Sequence, residues 1–106
     1  MTAATAFKVL THQQWADFER ERVFRGAPVD IADGYIHLST AAQLEATLAK
    51  HFAGQSPLMI AEVDLILLGD AIRWEEARGG ELFPHLYAEL PIHAVVSLQK
   101  RGEIQN

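Results

Sequence analysis

Alternating hydrophobic and polar positions mark two short segments of this chain, GYIHLST at residues 34–40 and LFPHLYAEL at residues 82–90. Side chains in a strand alternate between its two faces, so each segment predicts one apolar face and one polar, aromatic face. The polar members of the two faces are Tyr35, His37, Ser39, His85, Tyr87 and Glu89. Two such faces in one small sheet predict a pocket that contains two histidines and two tyrosines.

The same pattern predicts a strand-rich chain in which the segment between residues 24 and 34 is a loop, since it is dense in glycine, proline and aspartate. Alternating or continuous apolar runs predict strands at residues 6–10, 35–39, 58–63, 72–75, 86–89 and 94–99. With two helices in the first half, this order predicts a single α+β domain over residues 1–106, built on a small mixed or antiparallel sheet.

The two helices are each predicted by a threonine followed three residues later by a glutamine, the spacing of a capping box. The pairs are Thr11 with Gln14 and Thr40 with Gln43. In the second helix, Leu44, Leu48 and Phe52 recur at helical period. We therefore expect these three to be buried against the sheet, with Lys50 exposed.

Composition excludes several classes of function. The chain has no cysteine, which excludes a disulfide scaffold, a thiolate zinc site and a cysteine nucleophile. Its net charge of −5 and the lack of a basic patch argue against a nucleic-acid partner. The first residues lack the pattern of a signal peptide, and the longest apolar run, at residues 65–68, is too short to span a membrane. We expect a cytoplasmic protein.

His37 lies at a predicted junction between a strand and a helix. Histidine titrates near neutral pH, so this position suits a hydrogen-bonding or acid–base group at the edge of a pocket. Ser39 and Thr40 lie where the amides of a helix start are free, which favours an anion such as phosphate. The alternative is a histidine that satisfies a loop carbonyl beside an ordinary helix cap.

His85 and Tyr87 form the second candidate pair, in which the histidine contacts a ligand and the tyrosine stacks on a flat group. Alternatively, both lie on the solvated side of an antiparallel sheet. Both histidines are expected on the faces of their strands away from the core, lining one cavity.

Three carboxylates are further candidates. Asp30 and Asp33 flank the turn that leads into His37, and they either orient a ligand or the histidine, or cap the loop. Glu75 is a candidate catalytic carboxylate, or the end of a strand that carries a core tryptophan. A metal held by both histidines and a carboxylate lacks HxH or HExxH spacing, so no metal is predicted.

Most of the chain resembles the bacterial family catalogued as domain of unknown function 952. The resemblance runs through FKVL, FRGAPVDIADGYIHLSTAAQ, HFAG, RWEEARGGELFPHLYAELP and AVVSL. At a deeper level the chain is similar to the ADP-ribosyltransferase fold, which binds NAD in a cleft between two small sheets. That similarity implies that His37 and Ser39 hold the nicotinamide-side ribose, while a tyrosine stacks on nicotinamide.

The same similarity implies a glutamate on a later strand that positions the nucleophile or stabilises positive charge on the sugar, a role for Glu89 or Glu75. Three hypotheses follow. The chain is an enzyme acting on a nucleotide-like ligand, with NAD as substrate. Alternatively, it is a non-catalytic module that senses a small metabolite, or a structural protein whose strand faces dimerise. The sequence does not indicate an oligomeric state.

Overall fold

The computed structural model describes residues 4–102, which form eight strands and four α-helices. The strands are β1 (Thr5–Thr11), β2 (Val23–Phe24), β3 (Ile36–His37), β4 (Leu58–Asp64), β5 (Ile72–Glu76), β6 (Leu82–Leu86), β7 (Leu90–Pro91) and β8 (Val95–Arg101). The α-helices are α1 (His12–Glu21), α2 (Pro28–Asp33), α3 (Ala41–His51) and α4 (Leu65–Leu68). Short 3-10 helices cover residues 69–71, 78–80 and 92–94.

The strands form two three-stranded sheets, in the orders β1-β4-β8 and β3-β6-β5, and a two-stranded sheet of β2 and β7. Every strand pair among the described residues is antiparallel. A single bridge joins the two larger sheets: the Phe7 N–H donates to the Ser39 carbonyl at 2.7 Å, and the Ser39 N–H donates to the Phe7 carbonyl at 2.9 Å. The predicted α+β class is confirmed, and the mixed-sheet option is not.

The two predicted helices begin where their capping boxes place them. The Thr11 and Thr40 side chains each accept from the backbone of the glutamine three residues later, and each glutamine side chain accepts from the threonine backbone in return. Leu44 and Leu48 are buried in a cluster with residues of β1 and β4, as predicted. Phe52 is half-buried beside that cluster and Lys50 is exposed.

The segment predicted as a loop at residues 24–34 is wrong in its second part, because it contains helix α2. Pro28 occupies the start of α2, where a backbone N–H would have no helical hydrogen-bond partner, so the lack of an N–H in proline costs nothing there. The carboxylate of Asp30 accepts from the Ala27 N–H at 2.7 Å, and Gly34 ends the helix at φ 88°. The residues interpreted as turn formers are therefore helix caps.

The strand predicted at residues 86–89 is also wrong, because β6 covers Leu82–Leu86 and ends there. The next backbone amide, that of Tyr87, donates to the Ala71 carbonyl at 2.8 Å, which continues the register of β5 with β6 by one hydrogen bond beyond the end of the strand. His85 and Tyr87 nevertheless lie on the same side of the sheet, because both contact Oε1 of Glu75, whereas Glu89 lies beyond the strand and pairs with Arg25. Strand β3 is likewise shorter than the predicted segment at residues 35–39.

Within residues 4–102, no helix has the length and apolar character needed to cross a membrane. Four α-helices form where two were predicted, and the two additional ones, α2 and α4, are only six and four residues long.

The packing of α3 on the sheet yields a stability prediction. Leu48 is 9% exposed, whereas Leu67 in α4 is 48% exposed. Leu48→Ala should lower the free energy of unfolding by about 2–5 kcal/mol, because it removes buried methyl groups and leaves a cavity. Leu67→Ala, the matched control, should change it by no more than about 0.5 kcal/mol. Urea unfolding measures both, and equal losses would mean that α3 does not pack as described.

Candidate functional site

His37 and His85 lie directly opposite each other in the pairing of β3 with β6, with ring centroids 5.6 Å apart. Both line a cavity of about 660 Å³, here called the cleft. The cleft is also lined by Phe7, Val9 and Thr11 of β1, so it lies between the two three-stranded sheets. The prediction that the two histidines share one cavity is confirmed.

Asp30 is the most connected side chain of the site. It is 2% exposed, and its carboxylate lies 2.6 Å from Nδ1 of His37 and 2.9 Å from Nζ of Lys8. It also accepts from the backbone N–H groups of Ala27, at 2.7 Å, and His37, at 3.1 Å. One carboxylate thereby ties α2 to β1 and β3.

The charges of this buried group act on each other. Burial alone would raise the pKa of Asp30, but the hydrogen bond from His37 and the charge of Lys8 outweigh it and lower the pKa to about 2. Burial also lowers the pKa of the Lys8 amine, and Asp30 opposes that effect. Lys8 is 5% exposed and additionally donates to the His37 carbonyl at 3.2 Å.

The second ring nitrogen of His37 is also held by a carboxylate. Its Nε2 lies 2.9 Å from Oδ2 of Asp33, while Nδ1 faces Asp30. Ionised carboxylates only accept hydrogen bonds, so both contacts are satisfied together when the ring is the imidazolium. Carboxylates thus contact both ring nitrogens of His37 and fix the orientation of the ring.

His85 has a different arrangement. It is 3% exposed, and its Nδ1 lies 2.7 Å from Oε1 of Glu75, which also accepts from the Tyr87 hydroxyl at 2.7 Å. These two hydrogen bonds lower the pKa of Glu75, and the bond to Glu75 raises the pKa of Tyr87. Because Nδ1–H donates to the carboxylate, Nε2 of neutral His85 carries the lone pair.

The Tyr35 ring joins the two histidines. It stacks on His85 with centroids 4.1 Å apart and planes at 24°, and it lies 4.6 Å from the His37 ring and 5.2 Å from the Tyr87 ring. Burial and the nearby charges of Asp33 and Glu75 raise its pKa. One face of Tyr35 is therefore occupied by His85.

Three of the predicted site residues have other contacts. Ser39 lines the cleft, but its hydroxyl is hydrogen-bonded to that of Thr47 at 2.8 Å. The Thr40 hydroxyl caps α3 by accepting from the Gln43 N–H at 3.2 Å. Glu89 pairs with Arg25 at 3.2 Å and does not line the cleft, because the chain leaves β6 before reaching it.

Two buried polar residues were not predicted. Lys8 shares the core-facing side of β1 with Ala6 and Leu10. A lysine at a core position of an apolar strand was the sequence feature that could have revealed its burial. Gln43 donates to the Leu82 carbonyl at 2.8 Å, which fixes α3 to β6. Its capping-box position was visible in the sequence, but this second contact was not.

The described residues contain no group of three histidine or carboxylate side chains arranged to hold a metal ion. The groups of the site instead pair with one another: Asp30 and Asp33 with His37, and Glu75 with His85. This arrangement holds both ring nitrogens of His37 by carboxylates, and only Nδ1 of His85.

Residues 9–98 match the family described as "Protein of unknown function (DUF952)". The chain belongs to the DUF952 family. The family resemblance expected from the sequence is confirmed, whereas the similarity to the ADP-ribosyltransferase fold stays a prediction. No curated protein matches this DUF952 chain significantly.

Solved structures of protein CC0527 from Caulobacter crescentus share the fold. Its crystal structure is 38% identical with a TM-score of 0.89, and the alignment covers 92% of this DUF952 chain and 85% of that one. Its solution NMR structure is 39% identical with a TM-score of 0.80, covering 90% and 82% of the two chains.

The buried position of Asp30 in this DUF952 protein yields a second stability prediction. Asp30→Asn leaves the buried Lys8 cation without its anion, so it should lower the free energy of unfolding by about 3–5 kcal/mol. The control is Asp17→Asn, which removes a salt bridge to Arg20 in which the side chains are 43% and 64% exposed. That change should cost at most about 1 kcal/mol. Similar losses in the two variants, measured by urea unfolding, would contradict the assigned role of Asp30.

Asp30 also predicts how stability depends on pH. Its pKa in the folded protein is about 2, below the usual 3.8, so folding favours the ionised form. The resulting stabilisation is complete above about pH 4 and is lost as the pH falls through 2, a loss of about 2 kcal/mol. Other carboxylates titrate in the same range, so the quantity to measure is the difference between the wild type and Asp30→Asn. Parallel stability curves between about pH 5 and pH 2 would contradict this prediction.

Proposed function

We propose that the cleft binds a nucleotide-like small molecule, with NAD as the candidate substrate, and that His85 acts on it as a general base. The observation that carries this proposal is the contact of 2.7 Å between Glu75 and Nδ1 of His85, which leaves the basic Nε2 on a histidine that lines the cleft. A carboxylate that orients a histidine in this way also stabilises the imidazolium formed when the ring takes a proton.

The shape of the cleft supports a small organic ligand. A volume of about 660 Å³ lies within the range of small-molecule sites, roughly 300–1,000 Å³. Its position between two three-stranded sheets matches what the resemblance to ADP-ribosyltransferases implies for NAD. That resemblance is an analogy of fold, so the proposal depends on the side chains of the site.

The proposed reaction is attack on the ribose carbon that bears nicotinamide. The hydroxyl of water or of an acceptor forms the new C–O bond and gives its proton to Nε2 of His85. The C–N bond to nicotinamide breaks, its electron pair goes to the ring nitrogen, and nicotinamide leaves as a neutral molecule. Asp33 lines the cleft and Glu75 contacts His85, which also lines it, so both carboxylates would stabilise positive charge on the sugar. Glu75 thus takes the role that the sequence left open between Glu75 and Glu89.

A second candidate function is binding without turnover. Both nitrogens of His37 are held by carboxylates, and one face of Tyr35 is covered by His85. These contacts favour a rigid recognition surface over proton transfer at His37. A sensor of this kind would bind NAD or a related nucleotide and leave it intact.

NAD turnover and the thermal stability of the protein distinguish the enzyme from the sensor. If NAD binds the folded protein, a concentration of a hundred times its dissociation constant should stabilise the protein by about 2.7 kcal/mol, measured by thermal shift. His85→Asn should then lower NAD turnover by about 10²- to 10⁴-fold, because the general base is lost. His93→Asn changes an exposed histidine outside the cleft and serves as the control. His85 is buried, so the expectation that both histidines lie away from the core is wrong for this residue. We therefore choose asparagine as the replacement, because alanine would leave a larger cavity.

Each result decides one point. Turnover that His85→Asn leaves unchanged would exclude His85 as the base. Stabilisation of the wild type by NAD without consumption of NAD would favour the sensor. No effect of NAD on melting would exclude NAD as the ligand.

A further inference from the structure

Three basic side chains stand in register across the sheet that borders the cleft. In the pairing of β3 with β6, His37 lies opposite His85, and in the pairing of β6 with β5, Arg73 lies opposite the same His85. Residues directly opposite in antiparallel strands point to the same face. The three form one row, here called the basic row.

Like charges directly opposite each other destabilise a sheet, so the basic row needs compensation whenever its histidines are protonated. Two members have it: His37 faces the carboxylates of Asp30 and Asp33, and His85 faces that of Glu75. The third member, Arg73, makes no ion pair with the residues that the structure describes. Its guanidinium instead lies over the Tyr87 ring, 4.7 Å from the centroid.

This arrangement suits the capture of an anion. Arg73 is exposed. Stacking on an aromatic ring holds its planar guanidinium in place and leaves the N–H donors able to bind an anion. By contrast, Arg20, Arg25 and Arg101 each pair with a carboxylate, and Arg22, which makes no ion pair with a described residue, lies at the end of α1 and does not line the cleft. The sheet therefore places beside His85 a cation that makes no ion pair with a described residue, although its charge also acts on Glu75.

The groups first assigned to a phosphate are committed elsewhere. The Ser39 hydroxyl is hydrogen-bonded to Thr47, and the Thr40 hydroxyl caps its helix. Lys8 lines the cleft, but its charge is matched by Asp30 at 2.9 Å. A ligand with a phosphate group needs a cation that is not already paired, and Arg73 meets that requirement.

We propose that Arg73 recognises a phosphate group of the ligand at the end of the basic row. This inference rests on the proposed function, because it adds the anionic part of a nucleotide to a ligand placed in the cleft. Tyr87 positions Arg73 by stacking, and the hydroxyl of Tyr87 is itself held by Glu75 at 2.7 Å. The phosphate site and the His85 base are thereby linked through one carboxylate.

The test compares ligands with and without phosphate. NAD, nicotinamide riboside and inorganic pyrophosphate are titrated separately into the ¹⁵N-labelled wild-type protein and variants, and amide shifts are followed by NMR. Arg73→Gln should weaken NAD binding about tenfold or more, which is about 1.4 kcal/mol, and leave nicotinamide riboside within about twofold. Arg73→Lys should recover part of the NAD affinity, because it keeps the charge and loses the planar fork. Arg101→Gln, which alters a strand arginine in the other sheet, is the control.

The outcomes separate this inference from the proposed function. Equal NAD affinity in Arg73→Gln and the wild type would overturn the role of Arg73 and leave the nucleotide proposal standing. If NAD fails to perturb the wild type but pyrophosphate shifts amides of β5 and β6 in the wild type and not in Arg73→Gln, the phosphate site stands and the nucleotide proposal falls. If neither ligand perturbs the wild type, both are overturned.

Discussion

The site depends on one buried carboxylate, that of Asp30. It is 2% exposed, and such a group is tolerated only when positive charge and hydrogen-bond donors surround it. Lys8 supplies a cation from β1 and His37 supplies a second donor from β3, while the Ala27 amide completes the set at the start of α2. Each partner is itself poorly solvated or constrained, so none can leave without exposing an unpaired charge in the core.

This constraint determines the position of the cleft. Strands β1 and β3 belong to different three-stranded sheets, and the backbone bridge between Phe7 and Ser39 is their direct ladder contact. The bond from Lys8 to the His37 carbonyl adds a side-chain link between the same two strands, and the bond from Lys8 to Asp30 links β1 to α2. The angle between the sheets, and hence the space between them, is held by polar contacts at their junction as well as by the apolar core.

The sequence predicted the features that depend on local chemistry. Capping boxes at Thr11 and Thr40 are satisfied within four residues, so their helices begin where expected. The end of β6 could not be predicted in this way, because it depends on the pairing with β5, in which the Tyr87 amide donates to the Ala71 carbonyl, sixteen positions earlier in the chain. The pairing of Glu75 with His85 likewise depends on the register of β5 with β6, which no local pattern specifies. The two histidines were predicted together because strand periodicity alone placed them on polar faces, while the burial of His85 and Lys8 required knowledge of the tertiary contacts.

The two histidines differ in the number of carboxylates that hold them, and this difference gives them different chemistry. Both nitrogens of His37 are bound, by Asp30 and Asp33, so its ring is a donor with no lone pair to offer while those contacts persist. His85 has one carboxylate partner, Glu75, and retains a basic nitrogen in its neutral form. The Tyr35 ring stacks on His85, so the orientation of His85 is fixed both by this ring contact and by its hydrogen bond to Glu75. Under the proposed function, therefore, proton transfer belongs to His85 and not to His37, and exchanging those roles would require a different distribution of carboxylates.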